Sequence, residues 1–143
     1  MKLILSFIIL TLSAESNDLE QCECNIKNLV TVNQHLEKLS ETDIQLLLCT
    51  FDESCKNNSE FSSFSNETLF EVLSRNPELV IKELSVNNGK YNLNLIASEL
   101  EKPIHDGFDL EVIVEKVKAL HQADEIKSLI LSSLENAVEK GKQ

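Results

Sequence analysis

Four cysteines are the residues whose spacing most directly implies chemistry: Cys22 and Cys24, then Cys49, then Cys55. In an oxidising compartment four thiols make two bridges, and four cysteines allow three pairings. A Cys22–Cys24 ring is too small for relaxed disulfide geometry. Both early cysteines are therefore expected to join Cys49 and Cys55, in either order. Each bridge closes a loop of roughly 25 to 34 residues and constrains the unfolded chain by about 3–4 kcal/mol on the entropy model. Metal binding is the competing chemistry. The cysteines lack the C-x-x-C form and no histidine sits at ligand spacing, so no metal is expected.

Other reactive types are scattered. His35, His105 and His121 are isolated in sequence, and none lies beside a cysteine or serine in a nucleophile setting. His105-Asp106 is the one adjacent His–carboxylate pair, and its place between Pro103 and Gly107 reads as a solvated turn. Three glycines, Gly89, Gly107 and Gly141, are too few and too dispersed to cradle a phosphate. These patterns point away from an enzyme and call for no cofactor. Two N-x-S/T triplets, Asn57-Asn-Ser and Asn66-Glu-Thr, are glycan acceptors if the chain is exported.

Export is what the N-terminus implies. Residues 1–14 hold Lys2, an apolar run of about ten residues from Leu3 to Leu12, and small Ser13 and Ala14. That is the form of a cleaved secretory signal peptide, with Ser13, Ala14 and Ser16 as alternative cleavage points. The run falls short of the roughly 20 residues a bilayer span needs. The full chain carries a formal net charge of −11, and loss of Lys2 makes it −12. Such acidity argues against nucleic acid and anionic membranes as partners, and it favours a soluble monomer. A mature chain of roughly 130 residues suffices for one domain, over 22–140.

The elements that position these residues read as helices. Over 25–39, Leu29, Val32, Leu36 and Leu39 recur at helical spacing. Ser40-Glu-Thr-Asp43 then signals a new N-terminus, and Ile44, Leu47, Leu48 and Phe51 mark one buried face. So short a connection makes the pair an antiparallel hairpin over 22–55, which brings the cysteines together. Residues 56–66, dense in Asn and Ser, read as a glycosylated surface loop, and 67–140 as further helices. Thr68–Arg75 is a short helix capped by Ser65 or Asn66, and Asn76-Pro77-Glu78 starts the next. Asn87-Asn88-Gly89 closes that one. Residues 91–96 fit a strand or a helix, and the helical surroundings favour helix. Two stripes finish the chain, Leu110–Leu120 and Ile126–Val138, with a phase break near His121–Ala123. The expected fold is all-α: a bundle of five to seven helices with a disulfide-stapled N-terminal hairpin.

Two family resemblances follow from these residues. The Cys22-Glu23-Cys24 pair, with 24 residues before Cys49, is similar to chemokine spacing, but Cys55 follows too closely and the chain is acidic and helical. Size, leader, two bridges, sequons and helical pattern resemble short-chain helical cytokines, although every cysteine here lies early in the chain. The architecture implies binding rather than chemistry: a secreted effector contacting an extracellular or cell-surface protein through a helix face. The alternative is a carrier of a fatty acid or other lipid, suggested by Leu46, Val112 and Leu131, which lie outside the main stripes.

Overall fold

A computed structural model describes residues 24–142. Among the described residues there are seven α-helices and no strand: α1 (Ile26–Gln34), α2 (Glu41–Leu48), α3 (Ser59–Arg75), α4 (Pro77–Val86), α5 (Leu93–Leu100), α6 (Leu110–Ala119) and α7 (Glu125–Gly141). Single 3₁₀ turns at Leu36–Lys38 and Glu53–Cys55 follow α1 and α2. The expected leader, residues 1–14, and Cys22 lie outside the described residues.

Every helix begins the same way. A polar side chain just ahead of it accepts a hydrogen bond from a backbone N–H of the first turn, satisfying a donor the helix itself cannot use. The caps are Asn25, Ser40, Asn58, Asn76, Asn92, Asp109 and Asp124. Ser40 and Asp43 complete a reciprocal capping box, and Pro77 opens α4, where its missing N–H costs nothing. Gly89, with φ +95°, makes the left-handed turn after α4.

α1 and α2 form the hairpin that the cysteine spacing required. α1 and α3 lie side by side and run in the same direction, because three links of increasing residue number join them. Cys24 is bridged to Cys55 just ahead of α3, Asn33 donates to Thr68 at 2.7 Å, and Arg75 pairs with Glu37 at 2.6 Å. α3 is the central rod and packs on α1, α2, α4, α5 and α6. Its Leu69, Phe70, Val72 and Leu73 are fully buried, with the Phe108 ring stacked on Phe70 at 5.4 Å. α7 closes the far side against α4, α5 and α6.

Several expectations hold. Residues 93–100 are helical rather than extended, with Ile96 and Leu100 one turn apart in the core. The phase break falls between Ala119 and Glu125, where α6 ends and α7 starts. One expectation does not hold. Residues 59–66 are the first two turns of α3, capped by Asn58, rather than the end of a surface loop. The reason is a buried face on which small polar groups sit among apolar ones. Phe61, Ser65, Thr68, Leu69 and Val72 follow helical spacing and are all buried.

Candidate functional site

The Cys24–Cys55 bridge is formed, with Cα atoms 5.3 Å apart across a separation of 31 residues. This selects one order from the two that the sequence left open. Cys49 is oxidised as well, and Cys22 lies outside the described residues. Cys55 and Cys49 are buried while Cys24 faces solvent, so the bridge ties the exposed start of α1 to the core.

At the other end of the hairpin, Asp43 holds the turn. Its buried carboxylate accepts from the Ser40 backbone N–H at 2.8 Å, from the Ser40 hydroxyl at 2.6 Å, and meets His35 Nδ1 at 2.7 Å. Burial pushes this carboxyl up. The Ser40 and His35 hydrogen bonds and the imidazole charge together outweigh burial and hold it below the ordinary aspartate value. A second cluster sits where α4 ends. Buried Glu83 accepts from the Tyr91 hydroxyl at 2.6 Å and from Asn87 Nδ2 at 2.8 Å. Burial, then the hydrogen bond to Glu83 and its charge, drives the Tyr91 phenol well above its usual range. Both clusters are satisfied joints between elements. Each carboxylate is occupied by its own neighbours.

The histidines do not converge. His35 serves Asp43, and His105 Nε2 lies 3.5 Å from Glu67 rather than on adjacent Asp106. His121 sits in the α6–α7 connection. Among the described residues no group of three or more His, Cys, Asp or Glu side chains is placed to hold a metal ion. No helix among them is long and apolar enough to cross a membrane.

The two sequons have opposite surroundings. Asn57 is exposed in the turn before α3. Asn66 is 0% exposed and knits α3 to the end of α5. Its Nδ2 donates to Glu99 Oε2 at 2.9 Å, Glu99 O at 3.1 Å and Lys102 O at 3.3 Å, while its Oδ1 accepts from Ile104 N at 3.2 Å. Packing around Asn66 leaves no room for a sugar, so the surface position expected for it is corrected. Nothing local in the sequence announces this role, because the partners lie more than thirty residues away.

The concavities are superficial. One, of about 910 Å³, is an open groove where residues 101–111 meet the end of α7. Ile104 stands 48% exposed at its edge, with Phe108, Leu110 and Val138 half-buried in its floor. The most enclosed hollow, beside Cys55 and Ser65, has a volume of only about 20 Å³. Of the apolar residues outside the main stripes, Leu46 and Leu131 are half-buried against the core and Val112 is exposed. None of the three lines the groove or the hollow. No family model, curated protein or solved structure matches the chain. Its reading therefore rests on geometry.

Proposed function

We propose that the protein is an exported, monomeric effector without catalytic activity that acts by binding an extracellular or cell-surface protein through a helical face. The observation that carries this reading is the open groove between the 101–109 connection, α6 and α7. It couples exposed Ile104 to a half-buried apolar floor of Phe108 and Val138. Apolar centre and charged rim are the anatomy of a protein contact surface. Around it, Glu101 pairs with Lys140 and Glu111 with Lys142, each at 2.9 Å, which fixes the rim. The leader, the oxidised cysteines and the acidic, sequon-bearing exterior support an extracellular setting.

The test uses the full chain collected from culture medium, with binding to a panel of cell surfaces measured by chemical crosslinking and titration. Saturable binding is expected, weakened at least tenfold by Ile104→Glu with Val138→Glu. Val86→Glu is the control, at a residue 72% exposed and outside the groove, and should leave binding unchanged. Absence of saturable binding, or equal loss in the control, would refute the reading.

A further inference from the structure

We infer that Asn57 carries the chain's one N-linked glycan, and that its first sugars lie over the exposed apolar start of α1. The inference rests on the export reading above. Asn57 lies in the exposed Lys56-Asn57 turn between the 3₁₀ turn at Glu53–Cys55 and α3. Its sequon partners follow the chain into the helix. Asn58 is the extended N-cap residue, and Ser59 is the exposed first residue of α3. An acceptor carboxamide here projects into water, with no element to displace. At Asn66 a sugar is incompatible with the folded chain on two counts. Its Nδ2 hydrogens are committed to Glu99 and Lys102, and Thr68, the hydroxyl residue of that sequon, is fully buried and accepts from Asn33.

The transfer itself balances with a lipid-linked oligosaccharide diphosphate as donor. The Asn57 Nδ2 forms a bond to the anomeric carbon of the first N-acetylglucosamine, and the bond from that carbon to the diphosphate breaks. The lipid diphosphate leaves with the bonding pair, and the amide proton passes to it or to solvent.

Where the sugar lies follows from its neighbours. Asn58, adjacent to the acceptor, lines a shallow cleft of about 460 Å³ together with Cys24, Asn25, Ile26, Glu60 and Phe61. Ile26 is 49% exposed there, with Val30, 42% exposed, one turn further along α1. The ring faces of N-acetylglucosamine carry C–H groups that cover such a residue, while Asn25 and Glu60 offer polar partners to its hydroxyls. No residue of this cleft lines the 101–109 groove. The glycan thus masks one apolar patch and leaves the proposed contact surface bare.

The test secretes wild type, Asn57→Gln, Ser59→Ala and Asn66→Gln from a eukaryotic host, and measures intact mass before and after glycosidase. Wild type should exceed its polypeptide mass by one glycan, and both Asn57→Gln and Ser59→Ala should match the bare polypeptide. Asn66→Gln should keep the glycan in whatever fraction reaches the medium. Hydroxyl-radical labelling of Ile26 should rise at least twofold from wild type to Asn57→Gln. Secreted wild type at bare mass, or a glycan mapped to Asn66 in folded protein, would overturn the site. Unchanged Ile26 labelling would overturn the placement. Arrival of protein in the medium scores export separately, so failure of the modification is distinct from failure of the export reading.

Discussion

Asn66 shows how much one side chain carries when its polar atoms all serve the interior. It satisfies two carbonyls and a carboxylate and receives the Ile104 N–H, joining α3 to the segment that leaves α5. Asn66→Ala takes their partner from these part-buried groups, and a buried group left without a partner costs about 1–3 kcal/mol. The expected loss is about 2–4 kcal/mol in urea unfolding, with the m-value unchanged. Asp43 acts through charge. Its carboxyl is held below the ordinary 3.8, so the folded chain binds fewer protons there than the unfolded chain near that pH. Its stabilisation is complete above roughly pH 5 and drains away as the pH falls through 3.8 and below. Asp43→Asn should flatten the acid limb of stability against pH, measured by urea midpoints from pH 6 to pH 3. An acid limb as steep as wild type would show that Asp43 is not its source.

At the scale of elements, the bridges and caps decide where rods begin. Cys24–Cys55 closes 31 residues and fixes the starts of α1 and α3 relative to each other. Replacing both cysteines with alanine should lower stability by about 3–4 kcal/mol. Cleavage after Glu23, Glu41 and Glu53 separates all four cysteines, and non-reducing mass mapping should recover Cys24 linked to Cys55, and Cys49 linked to the remaining Cys22. A Cys24–Cys49 peptide would contradict the pairing. Local signals were readable in advance: the Ser40 box, the Asn76-Pro77 start, and the broken phase at His121–Ala123 each depend on residues a few positions apart. The start of α3 was not readable. Asn66 looks like a loop residue until α5 and the 101–104 segment supply the partners that let it be buried. The groove was equally hidden, since its floor draws Phe108 from a connection and Val138 from α7. Periodicity places Val138 on an apolar stripe, and nothing local in the sequence says that Phe108 meets it.

For the whole molecule, the interior is filled and the outside is acidic, and the two facts act together. The buried cluster runs from Leu29 on α1 to Leu134 on α7. A formal charge of −11 opposes association of copies at neutral pH, where Ile26, Val30, Val86, Ile104 and Val112 stand exposed. Near the isoelectric point of about 4.7 that repulsion vanishes. The carboxylates that hold the fold behave differently from those that set the charge. Burial raises Asp43 and Asp124, but hydrogen bonds to Ser40 and His35 in one case, and to Lys127, Ser85 and Gln122 in the other, leave both depressed and still ionised there. The protein should therefore associate while folded. At low salt, scattering should show the apparent mass rising as the pH approaches 4.7 and falling again on either side, with the helical circular dichroism unchanged at that pH. If helicity were lost before association set in, unfolding rather than charge neutralisation would be the cause. The exposed apolar side chains would then have no part in it.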